Sequence, residues 1–438
     1  SQRCVGKPIL SNDVLTQVTD DRYLEESEED DEINHGHQDR NQPLLEQTSI
    51  VALTKEAYDG HPIVIRLASV SMVGCALSLA LAQMMLCAAI ADSMLVAGFG
   101  RSCGLGLSSF PSLHCTSDLS MKPFQQQEAI PIPLASAGLA ISAAITIALA
   151  SVDLDSLIAS QYALFGCLLV SVAKFCTTLR SMDTDSKLEF SVEPHFVMGY
   201  RPFDAIGPLL FNFAFVVTAP PLSCGAGSRS TAFRALATAC VLMGTLYVLV
   251  GYVGAHAVSS LQGIDGTDEN LLSLVLYGGG TTANVMAVAL FGLSQLAAIP
   301  VYCELARETL SQHILPTSSR EGYAFATSHI LPWVVCALTY NSTFFEKFVE
   351  WSSLLLLGFA NFSFPLWLDL KLSSSRTNRR ASNHLTRKRK TGVGPDAVAW
   401  TFVMVTASIA AVIVQRITQV FMLSEVTFML FFIKGILF

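Results

Sequence analysis

Windows of about twenty consecutive, predominantly apolar residues recur along the chain from residue 65 onward, and no other feature limits the fold so severely. In hydrocarbon a segment of that kind cannot leave its backbone N–H and C=O groups unpaired, so it crosses a bilayer as a helix. The windows predict about nine spans, at residues 65–98, 132–152, 157–178, 204–222, 235–257, 282–303, 324–340, 346–369 and 396–416. The first is long enough to tilt or to emerge beyond the bilayer. A last apolar stretch, residues 421–438, contains Glu425 and Lys434 and is a candidate tenth span. Composition agrees: 51% hydrophobic and 14% charged residues, with mean hydropathy +0.48, exclude a soluble enzyme of 438 residues.

The chain divides into a polar leader over residues 1–62, a membrane domain over 63–420 and the apolar end over 421–438. Much of the net charge of −8 sits in the run EESEEDDE, Glu25 to Glu32, which reads as a solvated, disordered tail. No secretory signal opens the leader. Orientation follows from the basic loop Lys371 to Pro395, expected in the cytosol. Counting back by spans puts Arg229, Arg234, Arg307 and Arg320 on that side, together with the leader. It puts the acidic loop holding Asp265, Asp268 and Glu269 on the other. The positive-inside rule accounts for the basic loop without a bound anionic lipid, and Asn341, though spelled as a glycosylation site, lies too close to two spans to be modified.

Nothing asks for an enzyme: there is no phosphate-binding glycine loop, HExxH or GxSxG, and no cofactor is called for. His114 beside Cys115 lacks the partners of a zinc site. Most of the eleven cysteines lie in apolar segments as small hydrophobes. Cys103 and Cys115 fall in a polar loop outside the cytosol and form a disulfide candidate. Ionisable residues at membrane depth suggest function unless they snorkel from a span end. Asp92 and Lys174 lie near span ends and are expected to snorkel; Asp153 and Asp155 are expected to mark a turn.

The stretch FNFAFVVTAPPL, Phe211 to Leu222, stands apart, because Asn212 and the pair Pro220-Pro221 interrupt an apolar segment. Either the span simply ends at Thr218 or the helix is broken at the depth where a solute binds. Broken helices offer free backbone dipoles to a substrate and its coupling ions.

Several segments in order resemble the amino acid/auxin permease family, also called the transmembrane amino acid transporter family. AAIADSML (residues 88–95) is similar to the family's third helix, and ASVDLDSLIASQYALFG (150–166) to the junction of the fourth and fifth. FDAIGPLLFNFAFVVTAPPL (203–222) resembles the broken sixth, and TLYVLVGYVGAHAVSSLQGIDGTDENLL (245–272) the seventh with its following loop. ALFGLSQLAAIPVYCELARETL (289–310) is similar to the eighth, and FVEWSSLLLLGFANFSFPLWLDL (348–370) to the tenth.

The resemblance implies an all-α polytopic membrane protein, an APC/LeuT-like inverted-repeat bundle of about 9–10 helices. Its first repeat is incomplete, since the family's first two helices have no counterpart here. Residues beginning VIRLASVSMVGCALSLALAQ are alternatively a degenerate first helix, and a skipped exon or a shortened paralogue also fits. The function implied is amino acid transport by a secondary transporter. Phe211, Asn212, Phe213, Ala214, Phe215 and Thr218 would then contact the substrate. Ser294 is a weak candidate for the coupling ion, H+ or Na+; Leu296 and Ala298 stand where sodium-coupled relatives carry a hydroxyl, which favours protons or facilitated exchange. Partners implied are the amino acid and the lipid bilayer, with no nucleic acid. Leu44-Leu45 resembles a sorting-adaptor signal toward vacuolar or lysosomal membranes, the plasma membrane being the other destination. The alternative is a transport-incompetent relative acting as a sensor or interaction scaffold through its leader. A channel is less favoured, since no filter-like motif is present.

Overall fold

The computed structural model describes residues 50–58, 60–107, 111–119, 124, 133–151, 154–185, 229–261, 271–277, 282–315, 320–340, 351–372 and 397–414. These are mostly helical, and seven helices among them are long and apolar enough to cross a membrane. The expected spans at 204–222 and 421–438 lie outside the described residues, as do the acidic run and Leu44-Leu45.

The short helix α1 (Ile50–Ala57) leads into α2 (Pro62–Phe99), the first span. Pro62 starts α2, where a missing N–H costs nothing. Gly100 ends it in the left-handed region (φ 76°), its N–H bonding back to the Val96 carbonyl. With 38 residues, α2 is about 57 Å long, well beyond an apolar core of about 30 Å. It is apolar on all sides and rich in Ala, Ser and Cys, side chains small enough to let several helices approach it at once. Accordingly α2 is the axis of the fold.

Three buried clusters follow one another along it. Met72, Cys75 and Leu79 pack with Ala306, Leu357 and Phe364; Met84 and Ala88 pack with Leu139, Ile299 and Trp333; Ile90 packs with Phe175, Leu179 and Val288. The partners come from α3 (Ala137–Leu149), α4 (Leu154–Asp185), α7 (Thr282–Leu296), α8 (Ile299–Thr309), α10 (Leu331–Thr339) and α11 (Leu354–Leu372). Between α4 and α7 come α5 (Arg229–Leu261) and the short α6 (Leu271–Tyr277), and α9 (Arg320–Phe325) precedes α10. The last span, α12 (Ala397–Val414), joins α11 through Leu354, Ile409 and Val412. On α5, Phe233, Val241 and Val248 are more than two-thirds exposed, which suits lipid as solvent and not water.

Three expectations are corrected here. The fold is not all-α: β1 (Ser102–Gly106), β2 (Ser112–Thr116) and β3 (Leu134–Ser136) form a 3-stranded antiparallel sheet in the order β2-β1-β3. Within residues 132–152, the beginning goes to β3, and the Ser136 hydroxyl caps α3 by accepting the Leu139 N–H at 3.1 Å. The remaining 13-residue α3 measures about 20 Å, too short to cross alone. Asp155 lies in the first turn of α4, which begins at Leu154, and not in a connecting turn.

Candidate functional site

Two irregularities are set against α2: a group of interrupted helices and a buried carboxylate. The interruptions occur where prolines withhold a backbone donor. Pro300 has no N–H for the Leu296 carbonyl, and the helix running from Thr282 to Ile314 is broken by a turn at Ala297 and Ala298. There Ala298 bonds back to Gln295 at 3.1 Å, a tightened turn. Pro332 sits just after the π-turn Ala326–Ile330, in which the Leu331 N–H reaches the Ala326 carbonyl. Pro365 follows another, Phe359–Ser363, where the Phe364 N–H reaches Phe359. A further π-turn closes α8 at Leu310–Ile314. Such turns shift the side-chain register by one residue and are frequent at functional positions.

Polar groups cluster at these breaks. Asn361, in the π-turn of α11, is 2% exposed; its Nδ2 donates to the Leu357 carbonyl at 3.2 Å and lies 3.1 Å from Cys75 Sγ on α2. Ser328 and the buried His329 are hydrogen-bonded to each other (2.8 Å) in the π-turn before α10, where the His329 ring stacks on Phe325. His329, Trp333, Pro300 and Cys303 meet Met84 and Thr146 at a crevice too narrow for water. On α2, the Gln83 Oε1 atom is buried and has no hydrogen-bond partner among the described residues, an arrangement that costs about 1–3 kcal/mol.

The second feature is Asp92. Expected to snorkel, it is instead fully buried. Its Oδ1 accepts the Ser102 hydroxyl at 2.6 Å and the Gly138 N–H at 2.8 Å, while its Oδ2 accepts the Tyr340 hydroxyl at 2.5 Å. The Ser136 hydroxyl is also bonded to it. One carboxylate thus joins the end of α2 to β1, to the N-terminus of α3 and to the residue that follows α10. A positive helix end favours the negative charge, and the donors replace the water that burial removes.

Of the residues singled out from the sequence, Phe211, Asn212, Phe213, Ala214, Phe215 and Thr218 lie outside the described residues. Ser294 is half-buried on α7, its hydroxyl donating to the Phe291 carbonyl at 2.6 Å, just before the break at Ala297. Lys174 is half-buried on α4. Cys103 and Cys115 are joined as a disulfide across the paired strands β1 and β2. His114 bonds to Ser112 at 2.7 Å, and no metal-binding group of three or more His, Cys, Asp or Glu exists among the described residues. Asp92, Gln83, Asn361 and His329 were not all signalled in sequence: Asp92 stood out as an ionisable residue, prolines near Asn361 and His329 were the available cue, and Gln83 had none.

No protein-family model matches the chain, and neither a curated protein nor a solved structure matches it. The seven long apolar helices mark an integral membrane protein, mostly helical, assembled around one long buried span.

Proposed function

We propose that the chain is a secondary transporter for amino acids, proton-coupled or facilitative rather than sodium-coupled, built as an APC/LeuT-like inverted-repeat bundle. The observation that carries this reading is the set of spans interrupted at Pro300, Pro332 and Pro365, all held against α2, with buried polar side chains beside the latter two. A membrane protein that needs only to span lipid gains nothing from broken helices; one that binds a zwitterion uses the freed dipoles. The unpartnered Gln83 carbonyl supports the same reading, since an ammonium group would satisfy it. Phe211 to Phe215 with Asn212 and Thr218 would supply the remaining substrate contacts, and Ser294 beside the α7–α8 break a weaker ion contact. Residues Leu44-Leu45 would direct the chain to a vacuolar or lysosomal membrane.

The test is uptake of a panel of labelled amino acids into proteoliposomes containing the full chain, with proton and sodium gradients imposed separately. Uptake that follows the proton gradient or the substrate gradient alone is expected. Asn212→Leu is expected to insert normally and to lose uptake. No uptake of any amino acid under any gradient, or unchanged uptake by that variant, overturns the respective part of the proposal.

A further inference from the structure

We infer that the Asp92 carboxyl is a proton-binding site, taking up a proton on Oδ2 from the aqueous phase while the Tyr340 hydroxyl turns from hydrogen-bond donor to acceptor. The inference goes beyond the transport reading and does not need it. It rests on the unlike partners of the two oxygens. Oδ1 faces the Gly138 N–H, which can only donate, so this oxygen must remain an acceptor in every state. Oδ2 faces the Tyr340 hydroxyl, which can donate or accept. Tyr340 in turn is hydrogen-bonded to Ser136, so when it accepts from a protonated Asp92 it has an oxygen to which its own proton can go.

Both protonation states are therefore fully hydrogen-bonded, and neither leaves a buried polar group stranded. Asp92 forms no ion pair with any described residue. The ionisable groups facing it are few. Tyr340 is the nearest, and Cys336 lies one turn back on α10; β3 and α3 carry none, and on β1 the neighbouring Cys103 is locked in its disulfide while Arg101 points outward. Phe124 covers the Tyr340 ring at a centroid distance of 6.3 Å. Residues 97–101, just beyond Asp92, are exposed, the charged Arg101 among them.

Protonation has a mechanical consequence. Charge-assisted hydrogen bonds are roughly twice as strong as neutral ones, so taking up the proton weakens the link from α2 to the end of α10. The Gly138 and Ser102 links persist on Oδ1 but lose their charge assistance as well.

The full chain in lipid nanodiscs is to be titrated between about pH 4 and about pH 9 while infrared difference spectra record the carbonyl stretch of protonated carboxyl groups. A reversible band is expected that is missing in Asp92→Asn and displaced in frequency in Tyr340→Phe. Asp92→Asn suits the purpose because its amide oxygen still accepts from Gly138 and Ser102 while its NH2 donates to Tyr340. Identical titrations of the unmodified chain and Asp92→Asn overturn the inference, as does an Asp92 band indifferent to Tyr340→Phe. If Asp92→Asn does not insert, the displacement of the band by Tyr340→Phe decides the matter. No transport is measured, so failure of this site and failure of amino acid uptake are separately visible.

Discussion

Replacing Gly138 by alanine tests the packing that the Asp92 network requires. A Cβ built at Gly138 falls 2.5 Å from the Ala88 carbonyl oxygen, 2.5 Å from the Asp92 backbone N and 2.7 Å from the Asp92 carboxyl carbon. Two of these atoms belong to the backbone of α2 and cannot swing aside as a side-chain tip would. Relief requires α3 to back away, which stretches the 2.8 Å bond from the Gly138 N–H to Oδ1. Overpacking of this kind costs about 1–3 kcal/mol, and weakening a hydrogen bond to a buried charge adds about 1.5–3 kcal/mol. The expected loss is therefore about 3 kcal/mol or more, large beside the stability of an ordinary domain. The control is Gly166→Ala on α4, where an added Cβ meets nothing within 4 Å. There the helix gains about 0.5–1 kcal/mol from the lost flexibility of glycine. Both variants would be compared by reversible unfolding in mixed detergent micelles, with the helical signal followed by circular dichroism. Equal stability of Gly138→Ala and Gly166→Ala would refute the argument, because the close approach of α3 to α2 would then be no constraint.

Gln83→Leu removes a buried oxygen that has no partner among the described residues, so its unfolding free energy is expected to stay level or rise by about 1 kcal/mol while amino acid uptake is lost; a destabilised variant would show the oxygen to be satisfied. Asn284→Ala should lower stability by about 1–2 kcal/mol, since Asn284 accepts from Thr178 on α4 at 3.0 Å and donates to the Val275 carbonyl on α6 at 3.1 Å; hydrogen exchange in residues 271–277 should rise with it. Reducing the Cys103–Cys115 disulfide releases a short closed loop worth about 3 kcal/mol of constraint, so exchange should increase over Ser102 to Thr116 and stay unchanged in α7 and α8. Rapid exchange there before reduction would count against the paired strands.

The spans were legible because their cause is local. Sustained apolarity over a bilayer's width is enough to specify a helix, and the windows at 65–98, 235–257 and 282–303 coincide in substance with α2, α5 and the α7–α8 pair. The window at 132–152 misled because apolarity alone does not distinguish a buried strand from a helix, and β3 with its Ser136 cap takes the first part. The sheet was hidden for a different reason. SCGLG and SLHCT are short, glycine-bearing and only partly buried, and their pairing is visible only once Cys103 is set opposite Cys115. Asp92 was misread because its partners are 10, 46 and 248 residues away, and proximity to a span end carries no information about them. The prolines were plain in the sequence, but the π-turn register shifts beside two of them are responses to packing.

Those two irregularities meet on α10. One end of this helix is preceded by the π-turn at Ala326–Ile330 and opens with Pro332, where the regular hydrogen-bond ladder is interrupted; the other runs directly into Tyr340, which is bonded to Asp92. Between them Leu331–Thr339 is only 9 residues long, about 14 Å, too short to bend appreciably within itself. A change of angle at the π-turn therefore displaces Tyr340 from Asp92, and a firm Tyr340–Asp92 bond resists that change of angle. By linkage, whatever stabilises one position of α10 at the crevice beside His329 and Trp333 must alter the proton affinity of Asp92, with equal and reciprocal effect. A substitution at His329 or Trp333 that shifts the Asp92 infrared band without touching Asp92 would display this coupling directly.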